Sequence, residues 1–184
     1  PMSDITRYDR DLGGPYGACD AFRDSVLREA ERRKPDAVVI AMSRGSGGSV
    51  AVDDERVTGS EAVARSTKGM KRTIDRLHDA GVAVVLADSP NRAPFMPTSC
   101  LAKERDSREC TFRANRQVSI MQTTVRAMPD VELVEANATV CPDGTCHPVV
   151  GNVVVYRDKV HFTATFARTL ADEFTKAIRK ATSG

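Results

Sequence analysis

At 184 residues the chain is long enough for one domain with a proper core, and 27 basic against 25 acidic side chains leave a formal net charge of +2. The basic residues are dispersed among acids, with three Tyr and no Trp for stacking, which argues against a nucleic-acid footprint. No apolar run approaches a membrane span and no signal peptide is visible, so any membrane anchor or export signal is expected outside these residues.

Residues 1–17 are polar and rich in Gly and Pro, and predict an extended lead-in to a single domain over 18–184. A first helix is predicted over 18–34, with Phe22, Val26, Leu27 and Ala30 on its apolar face and Pro35 beyond its end. The run AVVIAM over 37–42 suits a strand covered on both faces, as in a parallel sheet. Ser43 to Ser49 is Gly-rich but lacks the G-K-[ST] or G-x-G-x-x-G pattern of a phosphate loop, and reads as an active-site or surface loop. A second helix over 59–80 carries Ala62, Val63, Met70, Ile74 and Leu77 in period, with Gly81 as its stop and His78 on its surface.

A second apolar strand follows over 82–87. The alternation of helices and buried strands predicts a three-layer α/β/α fold with a mostly parallel sheet. Asp88 lies at the C-terminal end of that strand, where open α/β sheets place ligands; it either lines a site or caps a loop. A long Pro-containing connection over 91–109 precedes a third predicted helix over 111–128, carrying Val118, Met121 and Val125. The stretch 131–135 alternates in character and predicts a strand nearer an edge. Cys141 to Cys146 is a turn sequence bracketed by cysteines.

Beyond a strand over 153–156 come Asp158 and His161, three residues apart. Phe166, Leu170, Phe174 and Ile178 then recur every fourth residue in a predicted last helix, with Thr163 as its N-cap. An imidazole can take up and return a proton near neutral pH, and a carboxylate on its other nitrogen fixes the tautomer and stabilises the imidazolium. A short loop between a strand and a packed helix is a rigid mount for such a pair. Isolated, D-x-x-H is more often a turn residue beside a capping-region or half-buried histidine, since motifs this short recur by accident.

The stretch TVCPDGTCHPVVGNVVVYRDKVHFTATFARTLADEF resembles the C-terminal block of the SGNH-type domains attached to membrane acyltransferases of acyltransferase family 3. The resemblance extends upstream through Asp88-Ser89-Pro90, Cys100-Leu101, Cys110, KPDAVVIAM and PYGACDAFRDSVL, and so covers nearly the whole chain. It implies an SGNH or flavodoxin-like sheet, with Asp158 and His161 serving a Ser nucleophile that moves acyl groups to or from cell-envelope carbohydrate. At the strand end where the family carries an Asn-bearing block, this chain offers Ser43 and Arg44. With Asp88 they are the candidates for substrate or oxyanion contacts.

Family members begin with an apolar strand followed by Gly-Asp-Ser; this chain contains no G-D-S. The first strand-helix-strand, with its Ser, is therefore expected to be missing. Ser43, Ser46 and Ser49 lie off the sharp strand-to-helix turn that exposes such a nucleophile. With the first strands missing, 37–42 is expected to present an unpaired edge prone to self-association. The five cysteines lack a C-x-x-C and any zinc-site spacing; no metal or other cofactor is expected. Disulfides Cys100–Cys110 and Cys141–Cys146 leave Cys19 alone and imply an extracytoplasmic compartment. The expected partners are an acyl donor, a glycan acceptor and a membrane acyltransferase domain in the same full-length chain. Two function classes follow: an O-acyltransferase or esterase domain completed by a Ser from elsewhere, or a non-catalytic module that keeps the fold and binds carbohydrate or a partner.

Overall fold

The computed structural model describes residues 2–44, 47–115 and 119–183. The chain opens with β1 (Thr6–Asp9), β2 (Gly14–Pro15) and α1 (Gly17–Arg33), followed by β3 (Ala37–Met42), β4 (Ser49–Val52), β5 (Glu55–Thr58) and α2 (Gly59–Asp79). β6 (Ala83–Asp88) leads into α3 (Pro97–Leu101), β7 (Phe112–Arg113), α4 (Ile120–Ala127) and β8 (Glu132–Val134). The C-terminal part holds α5 (Asn137–Val140), β9 (Thr145–Cys146), β10 (Val149–Val150), β11 (Val153–Val154), α6 (Ala164–Thr169) and α7 (Ala171–Thr182).

The two apolar runs pair as read from the sequence: β3 and β6 are parallel, from Ala37 opposite Ala83 to Met42 opposite Asp88, and β8 pairs parallel on the other side of β6. Successive residues of β6 point to opposite faces. Val84 and Leu86 pack with Leu27 of α1, Met70, Ile74 and Leu77 of α2, and Ile120 and Met121 of α4. Val85 packs with Val134 and with Ala177 of α7. Helices thus cover both faces of a three-stranded parallel sheet, the expected α/β/α layering. Burying each such Val, Leu or Ile contributes about 1.5–3 kcal/mol, so the centre of the domain is β6 and its two helical covers.

Helix ends follow local chemistry. α1 stops at Lys34, which takes the left-handed conformation (φ 46°) and donates to the Ala30 carbonyl at 2.8 Å, just before Pro35. Gly81 (φ 78°) turns the chain out of α2 into β6. Thr163 caps α6 by accepting from the Phe166 amide at 3.1 Å.

Four local expectations are corrected. Of the lead-in expected over 1–17, the described residues 2–16 are not a free arm: β1 pairs with β2 and β4, making a four-stranded antiparallel sheet in the order β2-β1-β4-β5. Ser3 donates its backbone N–H to the Gly69 carbonyl and to Thr73 Oγ1, which docks the segment on α2. The helix expected over 111–128 forms only as α4, because Phe112 and Arg113 pair with β9 and Ser119 supplies the N-cap; Val118 lies outside the described residues. The last helix breaks at Leu170 into α6 and α7. On α1, Leu27 is buried but Phe22 and Val26 are exposed, so part of the periodic face has no cover among the described residues.

Candidate functional site

At the C-terminal ends of the parallel strands lies a cleft of about 420 Å³. Its floor is apolar, from Ala41, Ala87, Val134, Leu170 and Phe174; Ser43, Asp88 and His161 also line it. The position follows from topology, since parallel strands all deliver their C-terminal residues to one end of the sheet.

Asp158 and His161 sit on the loop between β11 and α6. Asp158 Oδ1 accepts the backbone N–H groups of Val160 at 2.8 Å and His161 at 2.9 Å, an aspartate-closed turn. The turn is anchored at both sides: Tyr156 and Phe162 form a β-bridge, Arg157 N–H donates to the His161 carbonyl at 2.9 Å, and Ala93 N–H donates to the Lys159 carbonyl at 2.8 Å. Beneath it, Tyr156 is fully buried between the rings of Phe112 (5.5 Å) and Phe162 (6.1 Å), and burial pushes its phenol above the usual range.

Within the turn, His161 Nδ1 lies 2.8 Å from Asp158 Oδ2 and 3.0 Å from Oδ1. The backbone N–H of Val160, then the imidazole of His161, hold the Asp158 carboxyl well below the usual carboxylate range. An ionised carboxylate only accepts, so Nδ1 carries the proton and the neutral ring presents Nε2 as its acceptor. Nε2 has no hydrogen-bond partner among the described residues, and the side chain is 61% exposed. This geometry allows His161 to take a proton from a hydroxyl brought to the cleft while Asp158 stabilises the resulting imidazolium.

Arg44 and Asp88 form a second, buried arrangement. Asp88 is the last residue of β6 and its side chain is 1% exposed. Its Oδ2 accepts from Arg44 Nη1 at 2.6 Å, and its Oδ1 accepts from Ser119 Oγ at 2.8 Å and the Ser89 amide at 3.0 Å. Arg44 Nη2 also donates to Gln122 Oε1 at 3.3 Å, while its buried Nε has no partner among the described residues. Asn137 donates to the Ser89 carbonyl at 2.6 Å and accepts from the Asn91 amide at 2.9 Å, pinning the turn after β6.

Of the residues singled out from the sequence, Ser43, Asp88 and His161 meet at one cleft, while Arg44 points into the buried network beside it. Ser49 lies in β4, its Oγ accepting from Arg56 Nε at 3.0 Å; Ser46 lies outside the described residues. Sequence reasoning missed Ser119, Gln122 and Asn137, whose roles require α4 to pack on β6 and α5 to meet the turn after it. The signal available was Ser119 as a helix N-cap. Both expected disulfides, Cys100–Cys110 and Cys141–Cys146, are present and Cys19 is free and exposed. No helix among the described residues is long and apolar enough to cross a membrane.

No curated protein matches the chain. Among solved structures, the periplasmic domain of a lipopolysaccharide acetyltransferase from Salmonella ser. Paratyphi A is similar at a TM-score of 0.59 and 16% sequence identity, a likeness of fold. The match takes in 85% of this chain and 61% of that one, so the chain spans less than two thirds of that domain. A family model, that of the SGNH domain fused to AT3 domains, runs over residues 1–176, through the parallel sheet and the Asp158–His161 loop. The chain belongs to that SGNH domain family.

Proposed function

We propose that this chain is part of an extracytoplasmic O-acyltransferase or esterase domain that moves acyl groups, acetyl foremost, to or from cell-envelope carbohydrate. The observation that carries the reading is the Asp158–His161 pair, an oriented imidazole with an unpartnered Nε2 at the rim of an apolar cleft. A serine from a segment outside these residues is the nucleophile in this reading. His161 Nε2 takes its proton as Oγ attacks the acyl carbonyl carbon, and returns it to the leaving group. In the second half, the acceptor hydroxyl or a water gives its proton to Nε2 as its oxygen bonds the acyl carbon, and Nε2 returns that proton to the serine Oγ as the acyl–serine bond breaks. The uncovered side of β3 supports a further strand and helix packing there. Ser43 is assigned to substrate contact, and Arg44, held by Asp88, to positioning that strand end.

A membrane acyltransferase domain in the same full-length protein supplies the acyl group in this proposal. The two disulfides, together with a similar domain described as periplasmic, support placement outside the cytoplasm. The test is kcat/KM for p-nitrophenyl acetate on the chain extended at its N-terminus by a Gly-Asp-Ser-bearing strand and helix. His161→Ala is expected to lose at least about 100-fold and Asp158→Ala a comparable or smaller factor. Full activity in His161→Ala would reject the enzyme reading and leave a module that binds carbohydrate or a partner.

A further inference from the structure

Ser43 lines a second concavity besides the His161 cleft. This groove, about 540 Å³, runs between β1 with its following turn and Gly47 to Ser49, and includes Arg7, Tyr8, Asp9, Arg10, Asp11 and Arg56. Its size falls within the roughly 300–1,000 Å³ typical of small-ligand sites. We propose that it is the acceptor subsite of the acyl-transfer site, and that it binds a sugar unit carrying a carboxylate or phosphate group. The assignment rests on the proposed acyl-transfer reading and adds the class of its acceptor.

Three guanidinium groups line the groove against two carboxylates, and one carboxylate is committed to the fold. Asp9 Oδ1 accepts the backbone N–H groups of Asp11 at 3.0 Å and Leu12 at 3.2 Å, and its Oδ2 faces Arg7 Nη2 at 3.5 Å. Arg56 is oriented by its Nε donating to Ser49 Oγ at 3.0 Å, which leaves both Nη groups for a ligand. Arg10 has no ion pair among the described residues. Guanidinium forks match the planar oxygens of carboxylate and phosphate, while the half-buried Tyr8 offers a ring and a hydroxyl suited to a pyranose.

Part of the groove wall is backbone held in place. Gly47 is buried at φ 86°, and a Cβ there would meet Ile120 Cγ1 and Ser66 Cβ at 2.9 Å. Ser66 Oγ donates to the Gly47 carbonyl at 2.8 Å. Because Ser43 borders both spaces, a sugar seated in the groove can extend a neighbouring hydroxyl past Ser43 toward His161. That hydroxyl would lose its proton to Nε2 as its oxygen bonds the acyl carbon, and Nε2 would pass that proton to the serine Oγ as the acyl–serine bond breaks.

The test needs no acyl transfer. Trigalacturonic acid, glucose 1-phosphate and neutral maltotriose are titrated into the full 184-residue chain at low salt, with Kd read from amide chemical shifts. Saturable binding of either anionic sugar is expected, at least fivefold tighter than maltotriose. It is expected to weaken at least fivefold in Arg10→Ala and in the double variant Arg7→Ala/Arg56→Ala, and to be unchanged in the exposed Arg168→Ala. Preference between the two anionic probes identifies carboxylate or phosphate as the group read. No saturable binding of either, equal binding of maltotriose, or indifference to the arginine variants overturns the assignment. Loss of this proposal with His161-dependent esterase activity intact would leave the catalytic reading standing, and binding without that activity would do the reverse.

Discussion

Val39 of β3 stands opposite Val85 of β6 in parallel register, yet Val85 is fully buried and Val39 is 42% exposed. The reason is width. A helix with its side chains is about 10–12 Å across and strands lie about 4.8 Å apart, so α7, packed chiefly on β6 and β8, covers β3 only in part. The outer edge of β3 is also unpaired among the described residues. An open edge beside a partly covered apolar face recruits another strand.

The chain is therefore expected to self-associate in a concentration-dependent way through β3. Light scattering at high protein concentration should give a mass above the monomer, and Val39→Lys should return it to the monomer. A strictly monomeric wild-type chain would remove this expectation.

His161 is expected to be the Nδ1–H tautomer when neutral, because the ionised Asp158 accepts from that nitrogen. Two-bond nitrogen–proton NMR correlations read this directly. Asp158→Ala should shift the population toward Nε2–H, whereas an equal mixture of tautomers in the wild-type chain would mean that the pair is not formed in solution.

Because the fold lowers the Asp158 carboxyl below its ordinary value, folding favours the ionised form. This contribution is complete above roughly pH 4, near the unfolded aspartate value, and is lost as pH falls toward the folded value. The thermal midpoint of the wild-type chain should exceed that of Asp158→Asn near neutral pH, and the gap should shrink below roughly pH 4. A gap independent of pH would assign the difference to the neutral hydrogen bonds of the turn.

Arg44 and Asp88 are paired out of water, and removing one partner leaves the other buried without compensation. Arg44→Met is expected to cost about 3–5 kcal/mol in urea unfolding. Arg44→Met/Asp88→Leu should cost clearly less than the sum of the two single changes, since nothing charged then remains unpaired. Strict additivity would show that the pair is not coupled.

Intact-mass measurement with thiol labelling should find one reactive thiol, Cys19, in the unreduced chain and five after reduction. Replacing Cys100 and Cys110 by Ser should destabilise the domain by about 2–4 kcal/mol, through the greater freedom of the unfolded chain.

Much of this was legible from residues alone where the physics is local. Continuous apolar runs identify β3 and β6 because a strand covered on both faces must be apolar throughout. The seven buried residues of α2, from Ala62 to Leu77, follow one helical face. Asp158 and His161 lie close enough in sequence for a single turn to bring them together. The hairpin of β4 and β5 had a readable signal that passed unnoticed: Asp53 and Asp54 both take positive φ, an Asp-Asp version of the two-residue turn usually built with Asn-Gly or Asp-Gly.

Only the tertiary structure decided the rest, because those features join residues with no local reason to meet. β1 is short and half-buried, and it becomes a strand through pairing with β4 some forty positions later in the chain. That pairing assembles Arg7, Arg10 and Arg56 around one groove. Asp88 reads as a ligand residue or a loop cap until Arg44, just past β3, and Ser119, the N-cap of α4, close on it. Periodicity alone placed Phe22 and Val26 in the core, but burial depends on what packs above a face, and among the described residues nothing covers them. A sequence determines which surfaces are apolar and which turns are stable; which surfaces meet depends on long-range closures whose entropy is repaid only when the whole sheet is assembled.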